Sequence, residues 1–180
     1  MYKITCFIPQ DKAELYRLLT PIGFKKTNDD RMYWENQLYS CVIEHFSVQG
    51  YNEQGYRVYI KGNRDFAEYI FVRSFGCFSP VIRGVEFIYS TNQTQEKNIE
   101  TAAKLNLKTG ALYGIFKYKD VGIVMLPNGE VNIQIRSKQS LSLGLVNVMK
   151  KIDEAVQFLF KPTTFNLFSF LEEEQEEYVL

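Results

Sequence analysis

His45, within Val42-Ile43-Glu44-His45-Phe46, is the chain's one histidine. Imidazole is the side chain best suited to move protons near neutral pH. A histidine metal site needs further ligands of matching type, and no Cys or other His lies nearby in sequence. Its setting reads as a strand position facing solvent or a partner strand. Cys6, Cys41 and Cys77 all sit in apolar company. A nucleophilic thiol needs a neighbouring base or cation to ionise it, and none is evident, so the three read as small core residues. Acidic pairs occur at Asp29-Asp30, in a turn, and from Glu172 to Glu174, near the end of the chain. Paired catalytic carboxylates need rigid, facing positions, which neither place offers. The sequence contains no phosphate loop, dinucleotide fingerprint or nucleophile elbow. Lys61-Gly62-Asn63-Arg64 is a strand-to-helix turn, although a helix start can hold an anion. These residues predict no catalytic site, no metal and no cofactor, and a protein that acts by binding.

The binding chemistry with the most residues behind it is basic and aromatic. Arg57, Lys61, Arg64, Lys117, Lys119 and Arg136 fall on expected strands or at their ends, interleaved with Tyr56, Tyr59, Phe116 and Tyr118. Such strands suit nucleic acid, through phosphate contacts and base stacking. The same pattern fits an ordinary solvated sheet face with cross-strand aromatic pairs. Formal charge is zero, but five glutamates in the last nine residues leave residues 1–171 at +5. A neutral chain gains little from counterion release on DNA, whereas a basic body with an acidic tail still gains some.

Before those glutamates lies Phe165-Asn166-Leu167-Phe168-Ser169-Phe170-Leu171. Such a segment folds back on the body or docks to another protein, which makes Phe165, Phe168 and Phe170 candidate docking residues. No run approaches the roughly 18 apolar residues that cross a bilayer, and the first residues lack a signal-peptide core, so no membrane association is expected. Three cysteines without paired spacing argue against a disulfide framework and for a reducing, intracellular location, cytoplasmic or nucleoid/nuclear.

The elements that must position these groups follow from periodicity. Residues 2–8 alternate as a strand, and Asp11 is a candidate cap for a helix carrying Leu15, Leu18 and Leu19 that ends at Pro21. Residues 31–34, 38–48 and 56–61 read as strands and 64–75 as a helix. The order then restarts with a strand at 81–90, a helix at 95–105 and a strand at 111–119. Strands at 121–126 and 130–136 follow, joined by Pro127-Asn128-Gly129, whose Asn-Gly tolerates the positive φ of tight hairpins. A long helix at 141–160 carries Leu141, Leu145, Val148, Met149, Ile152, Val156 and Leu159 at the 3.6-residue period. Both halves read strand, helix, three strands, helix. An internal repeat of that kind constrains the fold more than any single motif.

Leu112-Tyr113-Gly114-Ile115-Phe116-Lys117-Tyr118 resembles the Phe-Pro-Gly-Leu-Ile-Tyr-Arg strand of the TATA-binding protein family. Ile123 to Gln134, through Pro127-Asn128-Gly129-Glu130, resembles the family's Leu-Leu-Ile-Phe-Ser-Ser-Gly-Lys-Val-Val-Leu-Thr hairpin. About 50 residues of the second half carry this likeness, and the first half shares it by element order. It implies an α+β fold of two β-α-β-β-β-α repeats forming one curved, mainly antiparallel sheet with helices on one face. The expected domain is 1–164 (repeats 1–76 and 80–160), with 165–180 as an aromatic and acidic tail.

The family wedges two phenylalanines per half between base steps of the DNA minor groove. Leu112 and Leu126 stand at the matching positions here. The family also places an asparagine on the first strand of each half, and neither 2–8 nor 81–90 contains one. The resemblance therefore implies a non-enzymatic, nucleic-acid or transcription-associated binding domain. Its candidate contacts are Leu112, Leu126, Asn132, Gln134, Arg136, Arg57, Lys61 and Lys117. Two alternatives stand beside it: a protein-interaction module of the same fold that touches no nucleic acid, and a small-ligand-binding domain.

Overall fold

Alternation along Tyr2–Ile8 makes strand β1, with Tyr2, Ile4, Cys6 and Ile8 buried on one side and Lys3, Thr5 and the also buried Phe7 on the other. The computed structural model describes residues 1–8, 12–27, 31–36, 39–47, 54–76 and 80–160. Asp11, Asp29-Asp30, Cys77 and the whole tail lie outside the described residues. After β1 come α1 (Lys12–Leu19), β2 (Lys25–Lys26), β3 (Arg31–Glu35), β4 (Ser40–Ser47), β5 (Gln54–Gly62) and α2 (Arg64–Tyr69). Then follow β6 (Val81–Ser90), α3 (Gln95–Lys104), β7 (Lys108–Thr109), β8 (Ile115–Tyr118), β9 (Val121–Met125), β10 (Glu130–Ile135), α4 (Lys138–Leu141) and α5 (Leu145–Phe160).

The protein is α+β, and its ten described strands form one antiparallel sheet in the order β2-β3-β4-β5-β1-β6-β10-β9-β8-β7. The two long strands β1 and β6 meet at its centre, from Tyr2 opposite Phe87 to Phe7 opposite Val81, with a register shift between Thr5 and Cys6. Both edges are two-residue strands carrying lysine, a short and charged termination that discourages further strand pairing.

Alternate residues of every long strand share a single core with the helices. Ile4, Ile43, Val58, Val85, Ile123 and Ile133 pack with Leu15 and Leu19 of α1, Ala67 of α2, Ala102 of α3 and Ile152 of α5. The helices therefore cover one sheet face. In α5 the buried positions Leu145, Val148, Met149, Ile152, Ala155 and Leu159 keep the expected helical period. Each large aliphatic chain buried there is worth about 1.5–3 kcal/mol.

Three boundaries differ from the sequence reading by more than two residues. The long helix is split, because Gly144 adopts φ +83 and separates α4 from α5. The strand expected at 111–119 covers only 115–118, and residues 111–114 form a turn instead. The helix expected at 64–75 is α-helical to Tyr69 and continues as a π-helical turn over Ile70–Ser74. With β2 and β7 added, each half carries four strands between its first and last helices, where three were expected.

Side chains pin the helices down. Asn63 Oδ1 accepts from Phe66 N–H at 2.9 Å to cap α2, and Thr94 Oγ1 accepts from Lys97 N–H at 3.3 Å to cap α3. Asn98, the one buried polar residue among the described residues, donates Nδ2 to Thr91 Oγ1 at 2.9 Å and to the Gly129 carbonyl at 3.2 Å. Thr91 Oγ1 donates to that same carbonyl at 2.6 Å. Gly129 has φ +82, and a Cβ there would lie 2.4 Å from the Gln93 carbonyl oxygen. The β9–β10 turn and the start of α3 thus lock together.

Candidate functional site

The face opposite the helices is set by strand register. Lys3 lies across from Lys61 and from Glu86, Thr5 from Tyr59 and Gly84, and Phe7 from Arg57. On one flank the same side carries Arg31, Tyr33, Val42 and Glu44; on the other, Ile88, Asn132, Gln134, Val124, Ile115 and Lys117. Lys25 opposite Tyr33 and Lys108 opposite Lys117 complete it at the edges. Among the described residues, and counting Arg136 just beyond β10, eight basic residues (Lys3, Lys25, Arg31, Arg57, Lys61, Lys108, Lys117, Arg136) stand against four acidic ones (Glu35, Glu44, Glu86, Glu130). Two of those acids are engaged by ion pairs, Glu44 with Arg31 at 3.2 Å and Glu86 with Arg136. Tyr59 Oη accepts from Arg57 Nη1 at 3.2 Å.

Arg57, Lys61, Lys117, Asn132, Gln134 and Arg136 thus all belong to the open face. Asn132 Oδ1 is buried and without a hydrogen-bond partner among the described residues, which costs about 1–3 kcal/mol. Leu112 sits in the turn before β8 and is 70% exposed, with Tyr113 beside it at 74%. Leu126 follows β9 and is half-buried. The Met125 N–H donates to the Gly114 carbonyl at 2.8 Å, so the two wedge positions occupy adjoining turns at one corner. Phe165, Phe168 and Phe170 lie outside the described residues.

The interleaved aromatics do not form a stacking platform. Tyr56 and Phe116 are buried in the core, and Tyr118 stacks on Phe158 of α5 with ring centroids 4.5 Å apart. Only Tyr59 of the four shares the face of the basic residues, because neighbours along a strand point to opposite sides. Two of the basic residues leave that face as well. Arg64 bonds Asp153 and, at 3.1 Å, Glu68 on the helix side, and Lys119 pairs with Glu154 at 3.6 Å. Lys3, Lys25, Arg31 and Lys108 were not singled out by sequence, although alternation from Arg57 and Lys117 across the registers would have found them.

Cys6 and Cys41 are fully buried, and burial pushes the Cys6 thiol up to about 12 and Cys41 well above its usual value. These are inert core thiols. His45 lies opposite Tyr56 in the β4–β5 register. Among the described residues no group of three or more His, Cys, Asp or Glu side chains could hold a metal ion, and no helix is long and apolar enough to cross a membrane. No protein-family model matches the chain, and comparison with curated proteins returns no significant match.

Proposed function

We propose that the chain is a non-enzymatic, TATA-binding-protein-like domain whose open sheet face lies against duplex DNA in a transcription-type assembly. The observation that carries this reading is the open face itself, ten strands wide and, among the described residues, free of helices and two to one basic over acidic. Lysine and arginine spread over such a face neutralise phosphates along a groove.

A two-fold repeat is part of the proposal. Outward from the central pair, the sheet runs β5, β4, β3, β2 on one side and β10, β9, β8, β7 on the other. Packing supports the same equivalence. Trp34, fourth residue of β3, stacks on Phe66 of α2 at 5.3 Å, and Tyr118, fourth residue of β8, stacks on Phe158 of α5 at 4.5 Å. The exposed Leu112 is at the position where the family places a wedge, and an apolar side chain held out at a sheet corner suits insertion at a base step. Asn132 adds an amide to the face with one of its atoms unpaired.

A second reading has its own support. Leu112 and Tyr113 form an exposed apolar pair, and Val42, Ile88, Val124 and Ile115 lie half-buried on the open face. Such a surface also fits a protein partner. Anisotropy of a fluorescent duplex, titrated with the protein at rising salt, separates the two. Neutralisation of five phosphates gives a slope of about −4.5 in log K against log salt. Absence of binding at low salt would sink the DNA reading and leave the protein-interaction one.

A further inference from the structure

A cavity of about 700 Å³ opens where the first residues of β6 and the end of β10 meet α4 and the start of α5. That size falls within the roughly 300–1,000 Å³ of small-molecule sites. Three cations reach its wall from three different elements: Arg83 from β6, Arg136 from beyond β10 and Lys138 from α4. Among the described residues no carboxylate lines it. Glu86, one step outside, bonds Arg136 and holds that guanidinium in place. Lys138 has no ion-pair partner among the described residues. Cationic side chains converging on one opening favour a bound anion there.

We infer that this cavity binds a phosphomonoester carrying an apolar or aromatic body. A dianionic phosphate matches three cations better than a carboxylate does, and arginine presents donors in the fork that phosphate oxygens accept. The remainder of the lining suits the body of the ligand: Phe71, Leu141 and Leu145 are apolar, and Val81 leaves 46% of its surface uncovered. The wall also includes Gly144 and Leu145, where α5 begins without an acidic residue in its first turn. Its unpaired amide groups reinforce the preference for an anion. Arg136 is shared with the open face, and Arg83 lies over the Phe7 ring with its guanidinium carbon 5.7 Å from the centroid, so the cavity adjoins that face and Lys138 is the cation that belongs to it alone.

Adenosine 5′-monophosphate is the probe, titrated into the full ¹⁵N-labelled chain, with adenosine as the uncharged comparison. The expected result is saturable movement of the amide signals of Lys138, Ser142, Gly144 and Leu145 with the monophosphate, and far weaker movement with adenosine. Arg83→Gln/Lys138→Gln weakens binding by at least about tenfold, since two charge-assisted contacts are lost. Lys104→Gln, on the exposed side of α3, binds as the parent does. Spectral dispersion of each variant reports whether it folds. A single-stranded oligonucleotide with a 5′-phosphate tells free from polymer-borne phosphate: competition with the probe assigns the site to nucleic-acid ends, and no competition assigns it to a free small molecule. No saturable change at millimolar probe, equal affinity for adenosine, or undiminished binding by the double variant each overturns the inference. Loss of duplex binding does not touch it.

Discussion

The Tyr2 hydroxyl donates a 2.5 Å hydrogen bond to Asp153 Oδ1, joining the first residues of β1 to the middle of α5. Arg64, at the start of α2, donates to the other oxygen of the same carboxylate. Burial, with Asp153 next in weight, raises the Tyr2 pKa above its ordinary value. One carboxylate therefore ties a central strand to the helices that close each half of the chain. Tyr2→Phe should lower unfolding stability by about 1–2 kcal/mol, and Asp153→Asn by a similar amount. Arg64 and Asp153 are each more than a third exposed, so their ion pair adds little. In urea titrations of the single and double variants the effects should be non-additive by about 1 kcal/mol. Strict additivity would show that the bond contributes nothing.

Asn98 supplies a second test. Asn98→Ala leaves the Gly129 carbonyl and Thr91 hydroxyl short of a donor inside the fold, with an expected loss of about 2 kcal/mol. Gly129→Ala places a methyl against the Gln93 carbonyl at positive φ, and about 1–3 kcal/mol should go with it. Thermal unfolding of both variants checks the lock between α3 and the β9–β10 turn, and unchanged midpoints would refute it.

Alkaline pH should destabilise the fold in a defined window. The folded-state pKa values of Cys6, Cys41 and Tyr2 are all raised, from ordinary values of 9.0, 9.0 and 10.0. Their neutral forms are favoured in the folded state, so the stability is present in full below pH 9. For Cys6 it is lost as pH rises from about 9 toward 12, where only the unfolded thiol has ionised; Cys41 acts in the same direction, and Tyr2 joins above pH 10. Urea midpoints at successive pH values should fall through this window. The double variant Cys6→Ala/Cys41→Ala should show a shallower slope whatever its starting stability.

The DNA proposal predicts a division among arginines and lysines. Arg57→Gln, Lys61→Gln and Lys117→Gln should each reduce the salt slope of duplex binding by about one. Arg64→Gln, on the helix side, should leave that slope unchanged. Leu112→Ala should reduce bending of a doubly labelled duplex, measured by energy transfer, more than it reduces the salt slope. Equal effects from Arg64 and Arg57 would remove the open face as the contact surface.

Deletion of residues 165–180 removes Glu172, Glu173, Glu174, Glu176 and Glu177 together with the aromatic run before them. If the tail competes for the basic face, duplex affinity at fixed salt rises on deletion. Unaltered affinity assigns the tail another role.

Elements with strong periodicity were legible in the sequence. The strands Tyr2–Ile8 and Val81–Ser90 lie where the sequence reading put them, and the helical period locates the end of α5 at Phe160, although its start falls four residues after the expected 141. The edge strands β2 and β7 were not legible, since two residues carry no period. Nor was the break before α5, because a glycine at φ +83 interrupts a helix whose apolar spacing runs straight through it. For the candidate face, types were read better than directions. Lys117 and Phe116 are adjacent in sequence, yet one lies on the open face and the other in the core. Which strand neighbours which decided the remainder, and Lys3 beside Lys61 is a consequence of pairing across 58 positions that no local window contains.

The central place of β1 bears on how the chain reaches this state. Its two neighbours are β5 and β6, the second of which begins at Val81. At roughly 5–20 residues per second, a ribosome delivers that second neighbour several seconds after β1 itself. Throughout that interval one side of β1 has Ile4, Cys6 and Ile8 in place but no strand to satisfy its remaining amides. Nascent chains of this protein therefore spend their most aggregation-prone moments with the middle of the future sheet uncovered.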